Sequence, residues 1–308
     1  MAVPRLSPRA FERLTLVAAV AVGFIIVTGA AVRLTGSGLG CPDWPTCARG
    51  HLVAPLDYHP LVEFANRTVT GLVSIAVILA VLGSLRREPP RRDLILLSLG
   101  LVAGVVGQIV LGGVTVLVHL APPFVMAHFL LSMALLWDAV VLHHRAGQPD
   151  APPRPLVDRD LIRLARLMAV LAAITMLAGT VVTSSGPHGG DAKARRFDFS
   201  LHRVTQIHGG FALLLLTLVV AMLVLLRVNH APAQVQRCAQ QVLEALVVQI
   251  GIGYAQYFTG VPALLVEFHV LGAVLVWTAV LRLNLAMMTR QPAVEAMGGT
   301  TPLLLVRK

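Results

Sequence analysis

The sequence predicts an all-α polytopic membrane protein, with eight transmembrane helices arranged as two parallel-repeat four-helix bundles. Three observations carry that prediction. First, 56% of the 308 residues are hydrophobic and only 13% are charged, with a mean hydropathy of +0.78, far from the composition of soluble domains. Second, eight apolar stretches are long enough to cross a bilayer: roughly 14–34, 61–84, 93–118, 121–142, 161–183, 203–226, 239–260 and 262–286. Third, one stretch occurs twice. Residues 105–129 read VVGQIVLGGVTVLVHLAPPFVMAHF and residues 246–270 read LVVQIGIGYAQYFTGVPALLVEFHV, so Gln108, Gly112 and His128 recur as Gln249, Gly253 and His269 at a constant offset of 141. Halves with an even number of spans share one orientation, which makes the repeats parallel about an axis along the membrane normal. The expected division is an N-terminal half over 1–145, a linker over 146–160 and a C-terminal half over 161–308.

Charge sets the orientation. The formal net charge is +10, and with the N-terminus in the cytoplasm 18 of the 25 Lys and Arg residues fall on the cytoplasmic side. Arg86, Arg87, Arg91 and Arg92 cluster in one loop on that side, and Arg154, Arg159, Arg163 and Arg166 in another. This asymmetry assigns the basic residues to membrane topology and excludes nucleic acid as a partner. The lipid bilayer is the partner, the cell membrane the location, and both termini are cytoplasmic. The first apolar stretch is too long, and too poor in a small-residue cleavage site, for a signal peptide.

Helix 1 closes with TGAAVRLTGSG and leads to an outer loop containing Cys41-Pro-Asp-Trp-Pro-Thr-Cys47. Two cysteines six apart in an oxidising compartment favour a disulfide over free thiols or a metal knuckle. Cys238, at the cytoplasmic end of helix 7, reads as a packing residue. Helix 2 opens LVEFANRTVTG, with Glu63, Asn66 and Arg67 in its outer turns and Glu63 and Asn66 on one face. An ionisable residue at that depth is functional by default, the bland reading being a carboxylate paired with Arg67. Between helices 4 and 5, HHRAGQPDAPPRPLVDRD is the boundary of the halves. Helix 5 repeats the close of helix 1 more faintly, LAGTVVTSSG against VTGAAVRLTGSG.

Helix 6 offers His202 and His208. Asn66 lies 20 residues before the cytoplasmic Arg86, His208 lies 19 before Arg227 and His202 lies 25 before it, so His208 is the counterpart of Asn66. Each half then sets two positions facing each other at one depth: Asn66 with His128, and His208 with His269. A position seven residues into a helix lies about 10 Å below the outer surface. Two imidazoles across an apolar gap suit six-coordinate haem iron better than zinc, which wants further N, S or O ligands.

On these residues the chain resembles the haem A synthase family. The resemblance covers almost the whole chain and rests on the duplicated layout, the GSGLGCPDWPTC loop, the E-x-x-N/H-R opening of helix 2, HFLLS in helix 4, QIHG in helix 6 and HVLGA in helix 8. It implies an enzyme that oxidises the ring position 8 methyl of haem O to a formyl group, giving haem A for terminal oxidases. It implies a heme b cofactor between His208 and His269, heme O in the N-terminal half on His128, and Glu63 as the acidic catalytic residue. Glu63 would stabilise a cationic centre on the methyl carbon and take a proton. Many members carry His where this chain has Asn66, which leaves the substrate iron one protein ligand. Arg33, Arg67, Arg196 and Arg203 are the propionate candidates by position. The expected partners are haem O synthase and an electron acceptor, and a homo-oligomer stays open, as does a redox rather than structural use of the cysteine pair.

Two rival readings remain. A bis-His membrane cytochrome of b type, passing electrons without altering haem, explains His208 and His269 but leaves Glu63 and Asn66 idle. A transporter would place charges at the midplane of broken helices.

Overall fold

The computed structural model describes residues 5–48 and 50–290; residues 1–4 and 291–308, with both chain ends, lie outside the described residues. Eight long helices follow in order: α1 (Pro8–Leu34), α2 (Tyr58–Arg86), α3 (Arg92–Leu117), α4 (Pro122–Ala146), α5 (Arg159–Ser185), α6 (Leu201–Val228), α7 (Ala233–Phe258) and α8 (Ala263–Ala286). A two-residue strand in the linker, β1 (Arg154–Pro155), pairs antiparallel with β2 (Met288–Thr289) after α8. Among the described residues, seven of the eight helices are long and apolar enough to span a bilayer, and the chain is a multi-pass α-helical membrane protein. The exception is α7. It has the length, 26 residues, but Gln236, Arg237, Gln240, Gln241 and Glu244 make its first three turns polar and shorten its apolar stretch.

Within each half the consecutive helices pack as neighbours, and the halves meet along α1, α4, α5 and α8. Trp277 of α8 donates its indole N–H to the carbonyl of Met133 on α4 at 3.0 Å, so the contact between halves has a polar tie within its apolar packing. The helices that carry His128 and His269 are therefore in contact with each other across the halves.

The duplication extends to the turns. Between α3 and α4, His119 and Leu120 have φ of 54° and 57°; between α7 and α8, Gly260 and Val261 have φ of 80° and 60°. These are the same positions at the same offset of 141. The left-handed region costs a non-glycine residue roughly 1 kcal/mol, and three of the four are non-glycine, so the turn shape is kept against local preference. That turn sets the start of the following helix, and through it the depth of His128 and His269.

One end of the bundle collects the segment before α1, the α2–α3 turn, the linker and β2. Leu6 N–H donates to Arg86 O at 2.8 Å, and Arg91, fully buried, donates to Arg145 O and Gln148 O and pairs with Asp93 at 2.8 Å. The opposite end collects the α1–α2 and α5–α6 loops, joined by Gly38 N–H to Gly190 O at 2.8 Å. Cys41 and Cys47 form a disulfide at that end, and Cys238 is a buried free thiol.

Candidate functional site

His208 is the eighth residue of α6 and His269 the seventh of α8, so each lies two turns in from the N-terminal end of its helix. Their ring centroids are 6.1 Å apart, with the planes at 71°. A metal held at about 2 Å by one nitrogen of each ring needs ring centres roughly 6 Å apart, so the spacing fits a single iron between them. His208 Nδ1 lies 2.9 Å from the carbonyl of Thr175 on α5. That carbonyl accepts the Nδ1–H, fixes the tautomer and leaves the Nε2 lone pair free to ligate.

Both rings rest on glycine. A Cβ at Gly179 of α5 would come within 3.0 Å of His208 Cε1, and one at Gly253 of α7 within 3.2 Å of His269 Cε1. Gln249 of α7 donates to the carbonyl of His269 at 2.9 Å, which ties α7 to the turn of α8 that carries His269. Among the described residues no group of three or more His, Cys, Asp or Glu is placed to hold a metal.

The N-terminal half repeats the α7–α8 side of this arrangement. Gln108 donates to the carbonyl of His128 at 3.1 Å and to Ser132 Oγ at 2.7 Å, and a Cβ at Gly112 would meet His128 Cε1 at 3.1 Å. The Gln, Gly and His found by sequence are thus one packing unit used twice: the Gln clamps the His backbone and the Gly makes room for its ring. His128 Nδ1 and His269 Nδ1 are both buried without a hydrogen-bond partner among the described residues, the state of a ring placed for something besides core packing.

The α2 side differs. Asn66 Oδ1 accepts the hydroxyl proton of Thr28 on α1 at 2.8 Å. Glu63 is buried, and its carboxylate holds the disulfide loop: Oε2 accepts the Cys41 N–H at 2.7 Å, while Oε1 accepts Arg67 Nη2 at 2.7 Å and Nε at 3.2 Å. Arg67 donates further to Cys41 O at 3.0 Å, Thr46 O at 2.9 Å and Asp43 O at 3.3 Å. All of its N–H directions are engaged, so among the four arginine candidates Arg67 serves the loop rather than an external anion. The loop in turn lays Trp44 over α3, where a Cβ at Gly113 would overlap the indole.

Arg196 donates to Pro187 O at 2.6 Å, and Arg203 is exposed on the first turn of α6. Arg33 lines a small outer cavity between the halves with Thr183, Ser184, His188 and Arg195. His202, in the first turn of α6, has its Nδ1 2.6 Å from the Tyr257 hydroxyl.

Three further site residues were missed in the sequence. Thr28 reads as an ordinary hydroxyl in an apolar helix, and Thr175 acts through its carbonyl, which no side-chain pattern reveals. Arg195, which stands with Lys193 and Arg196 in a basic stretch of the α5–α6 loop, lines the same cavity as Arg33. Glu267 carries a signal: it is an acid two residues before His269, and its Oε2 is buried without a hydrogen-bond partner among the described residues.

A model of the cytochrome oxidase assembly protein family, COX15-CtaA, matches residues 12–189, more than half of the chain and the part that carries Glu63, Asn66 and His128. The chain belongs to this family. Similar proteins include a heme A synthase of Shouchella clausii, 30% identical over 184 residues, which are 56% of this chain and 59% of that protein. A heme A synthase of Shewanella oneidensis is 29% identical over 179 residues, 51% of each. A protoheme IX farnesyltransferase of Halobacterium salinarum is 30% identical over 131 residues, 42% of this chain and 28% of that protein. The chain spans at most about half to three-fifths of the length of the curated relatives it matches.

Proposed function

We propose that this chain is a haem A synthase, an oxidoreductase that converts the ring position 8 methyl of haem O to a formyl group. The observation that carries the reading is the pair His208 and His269, 6.1 Å apart on glycine beds, in a member of the assembly family whose relatives are named heme A synthase. The C-terminal half, residues 161–308, keeps a b-type haem between those two histidines. The N-terminal half, residues 1–145, takes haem O, with the two halves joined by the linker at 146–160.

Oxidising a methyl to a formyl group with oxygen from water removes four electrons and four protons. The b-type haem, when bound, supplies a one-electron relay towards a membrane electron acceptor. His128 binds the substrate haem through its iron and orients the ring, with the Gln108 clamp and the Gly112 bed holding the imidazole in one rotamer. Asn66, a carboxamide, contributes hydrogen bonding. Glu63 pairs with Arg67 at 2.7 Å, and an acceptor site left on its carboxylate takes a proton from the water that captures the oxidised carbon. Its charge stabilises the positive carbon that precedes capture. Trp44 and the disulfide loop close the outer side and keep bulk water from that carbon. Arg33 and Arg195, with Arg196 and Arg203 at the rim, meet the haem propionates.

The charge asymmetry supports cytoplasmic termini in a cell membrane, with the disulfide loop outside. A stretch shared with a protein named for farnesyl transfer to protohaem IX supports haem O synthase as the partner that hands over the substrate. The test is extraction of the pigments that copurify with the chain, followed by mass analysis. Haem O or its hydroxylated form beside haem B supports the enzyme; haem B alone leaves a simple bis-His cytochrome.

A further inference from the structure

The closes of α1 and α5 align at a constant offset of 150: Ile25 with Thr175, Thr28 with Ala178, and Gly29 with Gly179. In the C-terminal half this surface receives the His208 ring. The Thr175 carbonyl takes the Nδ1–H at 2.9 Å, and Gly179 lies directly beneath the ring. The N-terminal half has kept the receiving surface and changed what faces it. A Cβ at Gly29 would meet no atom within 4 Å, whereas one at Gly179 would meet the His208 ring at 3.0 Å. The carbonyl of Ile25, which matches that of Thr175, lies 3.3 Å from Thr28 Oγ1, and the same hydroxyl is 2.8 Å from Asn66 Oδ1. Thr28 has a side chain where the other half has only the methyl of Ala178. Its hydroxyl draws the Asn66 carboxamide back against α1, and Asn66 Nδ2 has no hydrogen-bond partner among the described residues.

We propose that Gly29, Thr28 and Asn66 form a small-ligand pocket on the α1–α2 side of the N-terminal haem position. Its ligand is a planar azole of imidazole size, which takes the place that the His208 ring takes in the other half. The pocket rests on the reading of His128 as the ligand of a haem in that half. Three features match the class. The Gly29 bed is the one on which an imidazole lies in the repeat. Ile25 O and Thr28 Oγ1 accept the azole N–H, as Thr175 O accepts that of His208. The opposite ring nitrogen then faces the iron from the side across from His128. Thr28 is a positioning residue here: it holds Asn66 out of the ring's space.

The experiment uses the full chain in detergent, loaded with haem O, with haem counted per chain by extraction. Two haems per chain are expected, one of them low-spin on His208 and His269. Added imidazole is expected to convert the second from high-spin to low-spin with a saturating titration. Gly29→Leu fills the bed and is expected to weaken that titration at least tenfold, while the low-spin signal of the first haem reports that the bundle is intact. Gly29→Ala, whose Cβ would stand as close to the azole as a Cβ at Gly179 would to the His208 ring, 3.0 Å, is expected to weaken the titration by less than Gly29→Leu does. The double variant Asn66→His with Thr28→Ala recreates the α5–α6 arrangement and is expected to hold both haems low-spin with no imidazole present. Two haems with no response to imidazole, or an unchanged titration in Gly29→Leu, overturns the pocket while leaving the haem reading intact. One haem per chain removes the N-terminal haem site and the pocket with it.

Discussion

Replacing Arg67 with Met removes the cation that joins α2 to the disulfide loop while keeping most of the apolar stem. The side chain is 26% exposed and its partner Glu63 is 9% exposed, so the pair is neither a surface bridge nor a fully dry one. Breaking a buried pair from one side costs about 3–5 kcal/mol. Discounted for the partial exposure of the guanidinium, and for the Cys41 N–H that Glu63 retains, the loss is about 2–3 kcal/mol. That cost falls on the loop, because the carbonyls of Cys41, Asp43 and Thr46 lose their donor together. The loop's locally open population then rises roughly 30- to 150-fold. Cys41 and Cys47 are both almost fully buried, so reduction by a hydrophilic phosphine has to wait for that opening. The assay follows reduction of the disulfide by alkylation and mass shift, at reductant levels where the rate tracks the open fraction. A reduction rate within about threefold of the parent chain would refute the claim that Arg67 holds the loop closed.

Other outcomes follow from the same contacts. His208→Ala or His269→Ala is expected to abolish the low-spin b-type spectrum, whereas His202→Ala, which breaks only the contact with Tyr257, leaves it; the reverse pattern refutes the assignment of helix 6. Glu63→Gln keeps the shape of the loop anchor but removes the charge, so haem A formation in cells is expected to fall sharply with the b-type spectrum intact; unchanged haem A makes Glu63 a loop anchor alone. Gly253→Val places branched carbon where the His269 ring lies, and overpacking of about 1–3 kcal/mol is expected to lower both haem retention and thermal stability. Equal retention by parent and variant in a dialysis series counts against the glycine bed.

Seven of the eight helices were legible because hydropathy over twenty residues is a direct reading of what a bilayer demands of the backbone, and α7, with its polar first turns, was legible because its later turns repeat those of α3. The repeat gave His128 and His269, and the distance to the basic flank picked His208 over His202. Less was legible on α2. Spacing put Glu63 and Asn66 on one face, but Glu63 turns to the Cys41 amide and Asn66 to Thr28 of α1. Those partners come from a loop and from a neighbouring helix, whose approach no periodicity encodes. Arg67 looked free for a propionate for the same reason, since its acceptors are backbone carbonyls of a loop folded back on α2. Gly112 and Gly253 stood out in the sequence as members of the repeat, while Gly179 read as an ordinary small residue of a membrane helix; only the facing ring gives all three their role.

The account's central claim is that the paired halves carry out a conversion of haem, with one haem kept and another changed. The most direct test is expression of the full chain in cells that make haem O and have no other route to haem A, with the membrane haems separated and weighed. The account predicts a formyl-bearing haem with the mass of haem A, lost in His128→Ala while the b-type haem on His208 and His269 stays in place. Haem O and haem B alone, from membranes in which the chain is folded and carries its b-type haem, would contradict it.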